Sequence, residues 1–456
     1  MAHFKRAWWL LAIAGGVRTL AQSSISVSAS TTMSSSTSAT LTEVATPTGS
    51  YLSYSSQVTQ DTTDLGSISS TGSASIRDNT TTTSTPGKQQ STSQSITYLT
   101  GSGSSTTKTS LSGTYVTTPS PSASPTGNTQ PCNNYVEFCS RKYSNITEIA
   151  CHNSPFVVSN NLAANQQYSV STQLNDGVRF LQAQIQWPTN GTTPHFCHTS
   201  CDLLDAGPIT DWLTEVKTWV ATHPYDVVTI LLGNGNYSVP SMYAPYIEST
   251  GILQYVYTPP LVPMNITNWP TLSEMILSGR RVVMFMDYMA NQTEYPWLLD
   301  EFSQMWETPF DPTNQTFPCD VQRPPDLAHD DANGRLSLIN HNLNIELTVL
   351  GTSLLVPARA DLNTTNNITG YGSLGTAANT CVETWGRAPN FLNVDYYNAG
   401  GYPGTVFEVA AKLNNVTYNG QCCGMASSKN GASERLSIMS SSLVCAWITL
   451  LLLYIL

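Results

Sequence analysis

Apolar and polar positions divide the chain into two regimes. From Gln22 to Gln130, Ser, Thr, Gly and Pro dominate and apolar residues recur with no period, as in 26–40 and 79–95. So little apolar surface does not offset the entropy of ordering the backbone, and 22–130 is expected to be a disordered stalk. Its Ser/Thr richness marks it for O-glycosylation. From Pro131 and Cys132 onward Trp, Tyr, Leu and Val recur, and 131–424 is long enough for one large core. Short apolar runs bounded by turn residues predict strands at 147–152, 178–187, 226–234, 281–288, 336–342 and 391–397, and helical periodicity predicts helices at 209–222, 271–277 and 405–414. Strands separated by helices specify a parallel sheet covered on both faces. With this length the expectation is an α/β fold of the TIM-type (β/α) barrel kind. A nucleotide-binding sheet finds no support, because no G-x-G-x-x-G opens a helix and no G-x-x-x-x-G-K-[ST] occurs.

The two ends change the picture from a soluble domain to an exported one. Residues 1–21 have a basic start (His3, Lys5, Arg6), an apolar run over 7–17 and small residues at Thr19 and Ala21, the layout of a secretory signal. The apolar tail 443–456 is shorter than the roughly 20 residues a spanning helix needs. It follows a spacer, 425–442, that contains the small residues Asn430, Gly431 and Ala432, and together they match a GPI-attachment signal. The expected location is the cell surface, GPI-anchored to the plasma membrane or cell wall. Asn79, Asn145, Asn190, Asn236, Asn265, Asn291, Asn314, Asn363, Asn367 and Asn415 each stand in an N-x-S/T frame, which predicts surface positions. Ten cysteines suit an oxidising compartment; Cys445 lies in the tail, so an odd number remains, and Cys197 with Cys201 would close a small local loop. A net charge of −11 with 11% charged residues and no basic run beyond the signal sets nucleic acid aside as a partner.

On a parallel barrel the reacting groups stand where strands end. The expected first strand runs into Cys151-His152-Asn153-Ser154, and a later element into His195-Phe196-Cys197-His198. Further strands end in Asp287-Tyr288, Asn340-His341-Asn342 and Asp395-Tyr396-Tyr397. Two histidines on neighbouring strand ends suit phosphodiester chemistry, one taking a proton from an attacking hydroxyl and the other protonating the leaving oxygen. Asp395, on the last strand and beside the first if the barrel closes, is placed to orient the base. Asp287, His341 and Tyr397 are the further candidates for contacting substrate. Along the second strand alternation puts Phe180, Gln182, Gln184 and Gln186 on the barrel's inner face, and Arg179 on the outer face with a structural ion pair as its expected role.

The runs Ala150-Cys151-His152-Asn153-Ser154, Gln173-Leu174-Asn175-Asp176-Gly177-Val178-Arg179-Phe180-Leu181, Phe196-Cys197-His198 and Pro224-Tyr225-Asp226-Val227-Val228-Thr229-Ile230 together resemble the X domain of phosphatidylinositol-specific phospholipases C, and most the secreted fungal PLC-like phosphodiesterases. The resemblance spans 132–424. It implies a TIM-type barrel, His152 as general base and His198 as general acid, with attack of an inositol hydroxyl on phosphorus giving a cyclic phosphate. It also exposes a departure. Gln182 and Gln184 stand where calcium-dependent relatives carry acidic ligands and metal-independent ones carry Asp and Arg; Asn153 matches a calcium-liganding Asn. Neutral amides supply neither the anionic oxygens calcium prefers nor a cation for phosphate, so no metal or other cofactor is expected. The expected partner is a phospholipid or GPI-like phosphodiester headgroup. Asn153, Gln182 and Gln184 are expected substrate contacts; the alternative, favoured by Gln182 and Gln184, is a catalytically silent module binding headgroups or cell-wall glycans through the same barrel. A barrel glycosidase using Asp287 and Asp395 is a weaker third reading, because the strand ends are richer in His and amide than in Glu.

Overall fold

The computed structural model describes residues 51–60, 128–349, 352–420 and 422–424. The signal, the GPI-attachment spacer and tail, and most of the stalk lie outside the described residues. Among the described residues eight parallel strands form the barrel sheet: β1 (Glu148–Cys151), β2 (Phe180–Gln186), β3 (Val228–Asn234), β4 (Val282–Met286), β5 (Leu298–Asp300), β6 (Met305–Glu307), β7 (Leu336–Asn340) and β8 (Phe391–Val394). Their order is β6-β7-β8-β1-β2-β3-β4-β5, so the sheet curls with its first strand beside its last, as a TIM-type barrel requires. Among the described residues no ladder joins β5 to β6. The one-turn helix Glu301–Gln304 bridges that seam.

Alternation on the strands sorts the core. Phe180, Leu231, Phe285, Leu299, Met305, Leu338 and Phe391 fill the inside of the curl. Leu181, Ala183, Ile185, Ile230, Leu232, Met284 and Leu392 face outward, where the helix Ile209–Thr222 lays down Leu213, Val216 and Val220. The expected six strands and three helices all form, displaced by a few residues at their ends. Strands β5 and β6 went unread because three residues are too few to show a period. The helix Leu374–Trp385, whose buried face is Leu374, Gly375, Ala377, Ala378 and Cys381, was not among the expected ones.

Three expectations meet the structure directly. Arg179 does face outward, paired with Asp226 at 2.7 Å. The cysteines pair as Cys132–Cys139, Cys197–Cys201, Cys319–Cys381 and Cys422–Cys423, which identifies buried Cys151 as the odd one among the described residues. The stalk is not uniformly free of structure: Val58–Thr59 pairs antiparallel with Leu261–Val262, because a short segment docking on an existing edge needs no core of its own. Of the sequon asparagines, Asn145, Asn190, Asn236, Asn265, Asn314, Asn363 and Asn415 are exposed, as glycan attachment would need.

Candidate active site

At the end of β1 the His152 N–H continues the ladder to the Val394 carbonyl at 3.0 Å, and the chain then turns through Asn153. The His152 ring stands against Asp395 just past β8, with Nδ1 2.8 Å from Oδ1. The same carboxylate oxygen accepts from Asn165 Nδ2 at 2.9 Å. Gln166 Nε2 donates to the main-chain carbonyls of His152 (2.8 Å) and Val394 (2.9 Å), tying the loop to both strands. Asp395 is only 2% exposed, and its other oxygen, Oδ2, is buried without a partner. A buried carboxylate accepting from Nδ1 fixes the tautomer, so Nε2 carries the lone pair of a base. Asn153 Nδ2 sits 3.1 Å from that nitrogen.

His198 follows a short strand, His195–Cys197, that pairs antiparallel with the end of β2. The Cys197–Cys201 disulfide closes its loop, and the His198 N–H donates to the Leu204 carbonyl at 2.9 Å. The ring packs edge-on against Phe156, 5.3 Å between centroids. Burial, then the nearby His152 charge, lower its pKa to about 4, with Asp395 opposing. His198 is therefore neutral at neutral pH until an anion arrives beside it. The residues immediately after His152, His198 and Asp395 all have left-handed backbones: Asn153 at φ 50°, Thr199 at 59° and Tyr396 at 43°. Such conformations cost of order 1–3 kcal/mol each for residues with a Cβ, and a β-branched Thr is the least expected there. Their recurrence after these three residues marks the place where the chain bends to present reactive groups.

The family comparison accords with this geometry. The model of the PI-PLC X domain (PI-PLC X 1) matches residues 138–414. The chain belongs to the PI-PLC X domain family. An uncharacterized secreted protein of Arthroderma benhamiae is 54% identical over 301 residues, covering 66% of this chain and 68% of that one. A PI-PLC X domain-containing protein 1 of the same fungus is 38% identical over 281 residues, covering 61% and 89%. Among solved structures, a double mutant of the Staphylococcus aureus phosphatidylinositol-specific phospholipase C aligns at 14% identity and TM-score 0.41, covering 61% of this chain and 94% of that one. The Listeria monocytogenes phosphatidylinositol-specific phospholipase C aligns at 11% and 0.40, covering 60% and 95%.

Inside this X domain a polar layer lies above the apolar one. Asn393 Nδ2 donates to Gln182 Oε1 (3.1 Å) and Asn340 Oδ1 (2.9 Å), and Asn340 Nδ2 donates to Glu307 Oε2 (3.0 Å). Glu307 Oε2 in turn accepts from Arg323 Nε at 3.0 Å and from its Nη2. The guanidinium is clamped by the Phe310 ring at 4.3 Å and the Phe302 ring at 5.3 Å. Burial and the adjacent Glu307 push the Glu301 carboxyl well above the carboxylate range. Gln184 Oε1 accepts from Gln186 Nε2 at 3.2 Å, so the inner-face glutamines lie where parity placed them.

Not every expected residue joins this site. Asp287 caps the main chain, accepting from the Asn234 and Tyr288 N–H groups at 2.7 Å each, and burial lifts its pKa to about 6. His341 and Tyr397 are turned away from the mouth, against expectation. His341 is 1% exposed, donates from Nε2 to the Thr365 carbonyl at 2.9 Å and lies on the Phe317 ring. The fully buried Tyr397 donates its hydroxyl to Asp176. His341 sits one step past Asn340 at the end of β7 and Tyr397 three past Val394 at the end of β8, and in each case the turn carries the side chain into buried packing. Arg359 and Arg387, cations from outside β2, do not reach the amides: Arg359 donates to the Ala164 carbonyl at 3.2 Å, and Arg387 Nη1 to Asn390 Oδ1 at 3.0 Å. Sequence reasoning missed Asn165, Gln166, Glu307 and Arg323, which carry no local motif. A cavity of about 1190 Å³ is lined by Glu148, Arg179 and Asp226 at the opposite, N-terminal strand ends, the face of a barrel that serves stability rather than chemistry.

Proposed function

We propose that this chain is an exported phosphodiesterase of the phospholipase C kind, acting without a metal on a phosphoinositol-like or other alcohol phosphodiester. The observation that carries the reading is His152, oriented by Asp395 through Nδ1 with Nε2 left as a base, beside a second histidine. In the step, His152 Nε2 takes the proton of a substrate hydroxyl next to the phosphate and that oxygen bonds to phosphorus. The ester bond to the lipid alcohol breaks, and its oxygen takes a proton from His198. The products are a cyclic phosphate and the free alcohol. The substrate's negative charge, arriving between the two rings, raises the His198 pKa from about 4 and loads the acid.

The amides of Asn153, Gln182 and Gln184 offer a metal no anionic oxygen, so calcium has no suitable donor set among them and no step is assigned to it. They face the phosphate as neutral hydrogen-bond donors. Four disulfides and exposed sequons support export, and the GPI signal of the tail supports action at a membrane or wall surface. The test is turnover of phosphatidylinositol, GPI-linked protein and glycerophosphodiesters, with and without chelator. The expected result is cleavage that chelator leaves unchanged and that His152→Ala or His198→Ala abolishes. No histidine-dependent cleavage of any of the three overturns it. The second reading, a silent binding module for headgroups or cell-wall glycans, is favoured by the uncharged Gln182–Gln184 stretch. Ligand binding that survives both histidine substitutions without product would select it.

A further inference from the structure

Residues 51–60 lie far outside the matched domain, yet they are built onto the barrel. Val58 and Thr59 pair with Val262 and Leu261, and the Gln60 N–H donates to the Pro260 carbonyl at 2.8 Å. Gln57 Nε2 donates to the Pro263 carbonyl (2.9 Å) and to Asn268 Oδ1 (2.8 Å), while Gln60 Nε2 donates to the Gln292 carbonyl (2.7 Å). At the other end the Tyr51 ring packs edge-on against Phe302 at 4.9 Å and Tyr288 at 5.7 Å, with the Tyr51 and Tyr288 hydroxyls 3.4 Å apart. Tyr54, half-buried, lines one cavity with Pro263, Met264 and Ser303.

The receiving surface follows the seam. Phe302 belongs to the turn that bridges β5 and β6, Met264 N–H donates to Gln304 Oε1 of the same turn at 3.3 Å, and Ile266 N–H donates to the Gly334 carbonyl just before β7. A strand edge with side-chain seats on either side is the arrangement by which extended segments are recognised, main-chain bonds holding the segment and pockets choosing it. Tyr51 and Tyr54, both partly buried, supply the side-chain anchors that the surrounding Ser/Thr sequence lacks, while Leu52 and Val58 stay exposed.

We propose that 51–60 is an intramolecular strap, and that the edge at 260–268 together with the Phe302–Tyr288 socket is its dedicated seat along the open seam of the barrel. Residues 61–127 then join two points on the same domain.

The test uses the whole secreted chain. In hydrogen exchange, the amides of 58–60 and 261–262 are expected to exchange roughly 10²-fold more slowly than an unstructured chain, and Gln60→Pro combined with Tyr51→Ala to remove most of that protection. Thr59→Cys with Leu261→Cys is expected to cross-link within one chain, with a yield that drops several-fold when Gln60→Pro and Tyr51→Ala are added. Unprotected exchange of 51–60 in the unmodified chain, cross-links only between two chains, or a yield indifferent to Gln60→Pro and Tyr51→Ala overturns the proposal. The exchange measurement decides alone if the cysteine variant does not fold.

Discussion

Two walls of the barrel mouth hold ionisable groups of similar kind under opposite rules. On the wall made by β8, β1 and β2, Asp395 holds one ring nitrogen of His152, and the other meets only the neutral amide of Asn153. On the wall made by β4 to β7, Arg323 takes Glu307 through two of its nitrogens, and burial beside Glu307 raises the pKa of Glu301. Asp311 is set between the two, its pKa raised by burial and lowered by both the His152 and Arg323 charges. The difference teaches that burial alone does not mark a reactive group. A charge locked to a buried partner of opposite sign, as Glu307 is to Arg323, is structural; a base held at one nitrogen, with only a neutral amide at the other, is equipped to move a proton.

The largest effect that tests this contrast is on turnover. His152→Ala and His198→Ala are each expected to lower kcat by about 10²- to 10⁴-fold or more, and the double variant by little more than either alone, since the two act as a unit. Additive losses in steady-state kinetics would separate them. Asp395→Asn is expected to lower kcat by roughly 10²-fold with KM nearly unchanged, because orientation of the base matters in the transition state rather than in binding. On the other wall, Glu307→Gln is expected to destabilise the fold by about 3–5 kcal/mol by leaving Arg323 buried and unpaired, whereas Glu307→Leu with Arg323→Met stays near neutral. Denaturant midpoints distinguish these, and equal losses in both variants would make the wall more than a self-neutralised pair.

Smaller effects sharpen the comparison between two histidines. His198 and His341 are both brought down to about 4 chiefly by burial, but only His198 also feels another histidine. In His152→Ala the His198 resonance is expected to titrate at higher pH, with His341 unmoved, as read by NMR. A free-enzyme acid with a pKa of about 4 also makes kcat/KM fall as pH rises above it, approaching tenfold per unit if His198 is that acid. His341 acts on stability. Its folded pKa is below the unfolded value near 6.5, so the unfolded chain binds more protons between about 4 and 6.5 and stability rises with pH across that window. His341→Phe is expected to lose that slope, up to a few kcal/mol, with turnover unchanged.

Much of the site was legible because its signals are local. His152 and His198 stand in short runs at strand ends, and the inner face of Gln182 and Gln184 follows from the two-residue period of β2. Asp395 was legible through topology, since a barrel's last strand lies beside its first. The same strand-end logic failed for His341, one residue beyond β7, and for Tyr397, three beyond β8, because the turn after each strand aims the side chain elsewhere. Arg323 and Asn165 had no signal at all, because each acquires its role from partners distant in sequence.

The sequence by itself determined which stretches could bury a face, the helix or strand period of each, and the two histidines that a parallel barrel would bring to its mouth. These follow from neighbours along the chain and the stereochemistry of consecutive residues. Only the tertiary structure decided that Glu307 and Arg323 neutralise one another, that Cys151 is the cysteine without a bridge among the described residues, and that Tyr51–Gln60 of the Ser/Thr-rich region lies along the seam. Those outcomes depend on surfaces that exist only once the sheet has curled. A short polar segment or a lone arginine becomes ordered where a preformed edge or a buried carboxylate offsets the entropy of holding it.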